Sequence, residues 1–396
     1  MKLSRFGPGL LVTAAFIGPG TIVTASRAGS SFGLALIWAV TFSAVATAVL
    51  QEMAARVGIV TRHGLSAAIR ESFRRPLARA LALSLIVCAI TLGNAAYETG
   101  NLLGASLGLE ILSGQPPQLW AFVLALVSWT LLLSGTYRRI QGVLVVLVIF
   151  MSFVFLTTAA LVRPSLGDLI GGLVPSIPDG SLLTVIALIG TTVVPYNLFL
   201  HASTVQEKWE AVPTRKALTE SRWDTALSVA LGGLVTLAIV VNATPLADVS
   251  SPASIASQLE PVLGRWARTF FGLGLFAAGL TSAVTAPLAA AYATTGALGL
   301  SSDLRSTPFR LVASLVVGTG LVLALLGGSP TEAIVLAQAA NGLLLPVVAV
   351  FLLSVVNNKE LMQGFRNRAL ANWLGGLVVL VVSALGLFQV VRLLTR

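Results

Sequence analysis

Gly18-Pro19-Gly20-Thr21 interrupts the first long apolar segment of the chain, and Val194-Pro195-Tyr196-Asn197 interrupts the sixth. A proline removes one helical hydrogen bond, and its ring clashes with the preceding turn. Inside a bilayer the freed carbonyls cannot turn to lipid, so a broken helix is tolerated where it faces protein or a polar cavity. Two breaks at matching places in two halves of a chain point to a substrate site at the membrane midplane. The bland alternative is a pair of ordinary proline kinks. Asn197 beside Pro195, and glycine on both sides of Pro19, favour true unwinding.

The 396 residues around these breaks are 56% hydrophobic and 10% charged. Soluble domains carry about 25% charged residues, so the chain reads as an all-α, polytopic integral membrane protein. Spans are expected near 8–30, 34–56, 80–110, 118–136, 142–162, 182–206, 224–243, 266–298, 309–327, 331–356 and 372–392. The third and eighth are long enough to tilt or project beyond the bilayer. The single Cys88 excludes a disulfide framework or a thiolate cluster. A cleavable signal is disfavoured, because the Pro19 region does not read as a cleavage site ahead of a soluble domain.

A net charge of +10 raises the question of nucleic acid. The basic residues instead sit in short loops, which membrane topology explains without a nucleic-acid partner. Of the 25 Lys and Arg, only Arg27, Arg163, Arg265, Arg268, Arg392 and Arg396 fall on one side of the bilayer; the others share the opposite side. The positive-inside rule then places the N-terminus in the cytoplasm and the C-terminus outside a cell inner (plasma) membrane.

The breaks lie in the first and sixth spans. An odd number of spans separates them, so the two halves are inverted relative to each other. Residues 1–162 form a first repeat, 182–356 a second, and 372–392 an extra helix, within one transporter domain over 1–396. This is the LeuT-type 5+5 inverted repeat with an eleventh helix.

Several motifs resemble the Nramp divalent-metal transporter family. They are Gly7-Pro8-Gly9-Leu10-Leu11-Val12, Gly18-Pro19-Gly20, and Pro195-Tyr196-Asn197-Leu198-Phe199-Leu200-His201. Leu50-Gln51, Arg56-Val57-Gly58-Ile59-Val60-Thr61, Gln338 and Asn358-Lys359-Glu360-Leu361-Met362 follow in the same order. The resemblance runs over nearly the whole chain. It implies alternating access, helices 1, 2, 6 and 7 moving against 3, 4, 8 and 9, and a monomer.

The departures bear on the cargo. In metal-carrying members an Asp-Pro-Gly-Asn motif in helix 1 and a Met-Pro-His motif in helix 6 hold the ion, with a backbone carbonyl and a helix 10 Gln. Here the Asp position is Gly18, the Asn position Thr21, the Met position Val194 and the His position Tyr196. The carbonyl position falls on Thr191, and only Gln338 keeps its side chain. A divalent ion needs several hard or borderline ligands, usually with a compensating negative charge. Thr21, Thr24, Thr191, Asn197 and Gln338 offer neutral oxygens only. The substrate site expected from these residues is Gly18, Gly20, Thr21, Thr191, Val194, Tyr196, Asn197 and Gln338, with no metal ligand assigned.

Such a site is poor for manganese or iron. It suits a hydrated magnesium ion, or a small anionic or zwitterionic solute at the half-helix N-termini. A third reading is a sensor that has lost transport, disfavoured because no output domain follows Arg396. The partners expected are a small solute or cation and the lipid bilayer.

Glu98, in Asn94-Ala95-Ala96-Tyr97-Glu98-Thr99-Gly100-Asn101, is an intramembrane acid and therefore a functional candidate. The competing explanation is an acid that is simply hydrogen-bonded to neighbouring helices or reaches the interface. By resemblance Glu98 matches the first carboxylate of a helix 3 pair, Asn101 replaces the second, and Arg310 is what remains of a helix 9 arginine pair. Glu98, Asn101 and Arg310 are thus the candidate proton-coupling set. His201 reads as a packing residue, His63 as solvated, and Asp224 as a helix-start acid. Tyr97 and Tyr292 read as packing. No nucleotide loop, catalytic constellation or cofactor motif is present, so the chain is read as a secondary transporter and not an enzyme.

Overall fold

The structure, a computed structural model, describes residues 17–134 and 137–394. Lys2, Arg5, the Gly7-Pro8-Gly9 opening and the first half of the first span lie outside the described residues. The described residues are helical, with no strand among them. In chain order the principal helices are α1 (Pro19–Phe32), α2 (Ile37–Thr61), α3 (Leu65–Ser72), α4 (Pro76–Ser113), α5 (Pro117–Ser134) and α6 (Tyr137–Val162). There follow α7 (Leu182–Thr192), α8 (Pro195–Lys208), α9 (Thr214–Ala243), α10 (Ala267–Leu298), α11 (Thr307–Leu325), α12 (Pro330–Asn357) and α13 (Ala369–Leu394). Short helices such as Leu166–Gly171 and Pro252–Ser257 cross the connections.

Among the described residues 10 helical stretches are long and apolar enough to cross a membrane, α7 and α8 counting as one. α1 adds a half-span of 14 residues. The order matches the eleven spans expected, and α4 and α10 are long as anticipated, at 38 and 32 residues.

One boundary is corrected. Hydropathy starts the seventh span at residue 224, but α9 begins at Thr214. Its first turns contain Lys216, Ala217, Leu218 and Glu220, good helix formers without the apolar content that hydropathy detects. Asp224 is therefore no helix-start acid. It sits inside α9, 3.8 Å from Lys208 Nζ.

Pro19 and Pro195 each begin a helix after an extended residue. Thr191, Thr192, Val193 and Val194 are four β-branched residues, which are stiff in a helix. Pro195 then pushes the residue before it out of the helical region. Val194 accordingly has φ −77° and ψ 119°, and α8 starts afresh with Pro195 in its first turn. Gly18 is extended at φ −101° and ψ −177°, and α1 likewise starts at Pro19. Proline suits a helix start because the missing N–H would have had no partner there.

α4 and α10 pack on each other through small residues. A Cβ on Gly108 would lie 2.5 Å from the Gly272 carbonyl oxygen, and one on Gly279 would lie 2.6 Å from the Ala105 backbone nitrogen. Backbones this close are the usual basis of helix association in lipid, where apolar burial gives no drive. α1 is set against this scaffold: a Cβ on Gly104 of α4 would meet the Pro19 ring at 2.0 Å. The break in the first span is thus held against the C-terminal half of the longest helix.

Candidate functional site

Three helix ends converge where the chain is broken. α1 and α8 present their N-termini, and α7 presents its C-terminus. In α1 the first intrahelical bond runs from Ile22 N to Gly18 O at 3.2 Å, which leaves the Gly20 and Thr21 amides ahead of the ladder. In α8 the Asn197 amide turns back to Val194 O at 3.1 Å. At the end of α7, Thr192 O accepts from Thr47 Oγ1 at 3.3 Å. Among the described residues the site therefore faces two positive helix ends and one negative end.

The side chains expected at the site come together. The hydroxyls of Thr21 and Thr191, 170 residues apart in sequence, are hydrogen-bonded at 2.8 Å. The Gln338 carboxamide fills the face of Gly20, where a Cβ would lie 2.2 Å from Nε2. Gly100 of α4 flanks the same carboxamide, with 3.5 Å from its Cβ position to Gln338 Nε2. Tyr196 stacks edge-on against Tyr97, ring centroids 5.2 Å apart. Gly18, Gly20, Thr21, Thr191, Val194, Tyr196, Asn197 and Gln338 are all buried, so the seat between the breaks is closed.

Many polar atoms at this seat lack a hydrogen-bond partner. They are Thr24 Oγ1, both side-chain polar atoms of Asn197 and both of Gln338. One step away, Asn94 Oδ1 and Asn341 Nδ2 are also without partners, and Asn341 Oδ1 lies 3.3 Å from the Cβ position of Gly93. Each such buried group costs about 1–3 kcal/mol. A concentration of them marks a place shaped for something that supplies the missing bonds. All of them are neutral. Among the described residues no three His, Cys, Asp or Glu side chains gather as a metal-binding group.

The candidate coupling residues do not form one set. Glu98 Oε2 accepts from Asn101 Nδ2 at 3.4 Å, while Oε1 has no partner. Glu98 packs against Gly320 of α11, 2.6 Å from its Cβ position, whereas Gly100 faces Gln338. Two residues along a helix turn the direction by about 200°, so the Glu98 side chain leaves α4 toward α11 and not toward Gln338. Arg310 lies ten residues before Gly320 on α11, about 15 Å along the axis. It donates from Nη2 to Leu133 O at 3.2 Å, at the end of α5.

His201 is buried, with Nδ1 and Gln51 Oε1 2.7 Å apart, so the packing reading holds. His63 is exposed and lies beside Glu71 at 3.1 Å. Tyr292 stacks on Phe309, again as packing. Sequence reasoning missed the roles of Tyr97, Asn94 and Asn341. The two asparagines are polar residues inside apolar spans, the same signal that singles out Glu98.

The model of the Natural resistance-associated macrophage protein-like (Nramp) family matches residues 9–392 of this chain. The divalent metal cation transporter MntH of Aeromonas hydrophila is 27% identical over 404 residues, covering 99% of this chain and 97% of its own length. The protein of the same name from Yersinia pestis is 28% identical, covering 100% and 96%. Among solved structures, the Eremococcus coleocola manganese transporter in complex with an aromatic bis-isothiourea substituted compound superposes with a TM-score of 0.77 at 24% identity, over 97% of this chain and 85% of that one. Mhp1, a nucleobase-cation-symport-1 family transporter, superposes at 0.57 with 17% identity, over 98% and 91%.

Proposed function

The chain belongs to the Nramp family, and from that premise we propose that it is a secondary transporter with a remodelled substrate site, poor for manganese and iron. The observation that carries this reading is the neutrality of the seat. Thr21 and Thr191 bond to each other, Gly18 contributes no side chain, and Val194 puts an apolar group where the resemblance calls for a thioether. Among the described residues no charged side chain at the breaks offsets the desolvation of a bare divalent ion.

The cargo class of the named relatives, a divalent cation, carries over in a hydrated form. Magnesium keeps several of its waters. Those waters donate hydrogen bonds, and Thr24, Asn197 and Gln338 offer buried oxygens without partners. The C-terminal end of α7 adds negative potential. An anionic or zwitterionic solute at the N-termini of α1 and α8 is the second reading, favoured by the Gly20 and Thr21 amides ahead of the α1 ladder. Residues 1–162 and 182–356 act as inverted repeats; α1 and α8, each 14 residues long and each opening on proline, support that equivalence. The N-terminus lies on the cytoplasmic side, by the distribution of basic residues. Glu98 carries any coupling proton from the α11 side of α4.

Proteoliposome flux tests this with magnesium, manganese, iron and small carboxylates offered separately. Saturable magnesium uptake without manganese uptake is expected. Carboxylate uptake alone selects the second reading, and no flux of any cargo supports the sensor. Saturable manganese binding by calorimetry, abolished by substitution around Gly18, overturns the site. In the converse experiment the paired change G18D and V194M raises manganese affinity at least about tenfold, by restoring a charge and a soft sulfur.

A further inference from the structure

An open groove of about 380 Å³ lies between the end of α5 and the start of α11, lined by Leu133, Arg305, Thr307, Arg310, Leu311 and Ser314. It is on the face of the molecule where the basic loops cluster, because the third and ninth spans both begin there. Arg310 is fixed in its wall by the bond to Leu133 O, and its Nε is buried without a hydrogen-bond partner. Trp129 Nε1 donates to Ser314 Oγ at 2.7 Å and closes the end of the groove that points into the bilayer. α11 opens here with no acid in its first turn and no capping bond from the Ser306 side chain, whose hydroxyl donates to Ser301 O at 3.0 Å instead. Its positive end therefore adds to the two arginines. The nearby acid, Asp303, accepts from the Arg305 backbone N–H at 2.9 Å. Among the described residues neither arginine side chain is ion-paired.

We propose that this groove binds the phosphate headgroup of an anionic phospholipid in the leaflet that meets the basic loops. Arg guanidinium forks match phosphate oxygens in pairs, and basic pockets between membrane helices are where such headgroups lodge. A lipid is favoured over a soluble anion by what continues from the groove. Leu311, Leu315 and Val322 of α11, with Leu126 and Trp129 of α5, are exposed and apolar, a track for acyl chains directly below the arginines. The lipid joins α5 to α11 across their seam and gives Arg310 a partner that the distant Glu98 does not.

The test uses the full chain in nanodiscs of phosphatidylcholine with a minority of phosphatidylglycerol, followed by native mass spectrometry. Wild type retains one phosphatidylglycerol, and the double variant R305A/R310A lowers that occupancy at least about tenfold. The pair R79A/R366A, on the same face but outside the groove, leaves it unchanged. Should R305A/R310A fail to fold, quenching replaces it: phosphatidylglycerol with brominated acyl chains quenches wild type more than the W129F variant, and brominated phosphatidylcholine does not separate the two. Equal retention by R305A/R310A, equal quenching by both lipids, or displacement of the lipid by millimolar inorganic phosphate overturns the proposal.

Discussion

The two sides of the breaks are closed by unequal means. On the side toward which α1 runs, one ion pair joins α1 to α12: Arg27 Nη1 and Glu332 Oε1 are 2.5 Å apart, with side chains 32% and 52% exposed. On the basic side, Arg56 of α2 is nearly enclosed, its side chain 6% exposed. It donates to Glu52 at 3.0 Å, to Phe365 O at 3.0 Å and to Asn367 Oδ1 at 2.5 Å. Arg222 of α9 reaches the same Glu52 at 3.0 Å, and Arg74 pairs with Glu360 nearby. An exposed pair is screened by water, whereas a buried guanidinium that donates to three acceptors from Nη1 and Nη2 cannot be removed without stranding them. The first contact is easily replaced by water; the second is packed between α2, α9 and the segment that follows α12. The seat between them is held by the neutral contacts of Thr21 with Thr191 and of Gly20 with Gln338.

The largest effect expected from this contrast is at Arg56. R56A leaves the Phe365 carbonyl, Asn367 and Glu52 without their shared donor and costs about 3 kcal/mol. Thermal unfolding of the purified protein in detergent reads this as a lowered midpoint. A midpoint within error of wild type breaks the comparison, because the basic rim would then be as replaceable as the opposite mouth.

How much of this is legible in the sequence follows from how local each feature is. The breaks are readable because Pro19, Pro195 and their neighbours act on their own backbone, whatever surrounds them. The site residues are readable only through the resemblance, since nothing in the sequence near Thr21 indicates a partner 170 positions away. The start of α9 escapes because Thr214–Trp223 is helical without being apolar. Arg27 counts only as a charge on the sparsely basic side, because its partner Glu332 is supplied by the fold of the second half. Arg310 enters the proton route only through its place in a motif, and a motif does not give depth. The register of α11 puts Gly320, not Arg310, beside Glu98.

A smaller effect sharpens the central contact. The Thr21–Thr191 bond is buried and neutral, so a double-mutant cycle of T21V, T191V and the pair is expected to give a coupling of about 1 kcal/mol in unfolding free energy. T21V strands the Thr191 hydroxyl in a buried place, whereas the double change removes both hydroxyls. The double variant is therefore less destabilised than the two singles combined. Additive losses would mean that the two hydroxyls do not depend on each other and that the seat is not held shut by this pair.

The smallest effect on stability, and the most informative about motion, is at the exposed latch. R27A removes an ion pair worth less than about 1 kcal/mol after screening, so the unfolding midpoint hardly moves. The same fraction of a kilocalorie is enough to change the ratio of two conformations that differ little in energy. In a C88S background, which removes the only native thiol, a cysteine introduced at Thr24 is sealed from aqueous reagent while α1 and α12 are latched. Adding R27A is expected to raise its labelling rate by a few fold, whereas adding E332Q gives a similar rise and R27A with E332Q gives no more than either. That lack of additivity separates a latch, which is open once either half is gone, from two unrelated surface charges.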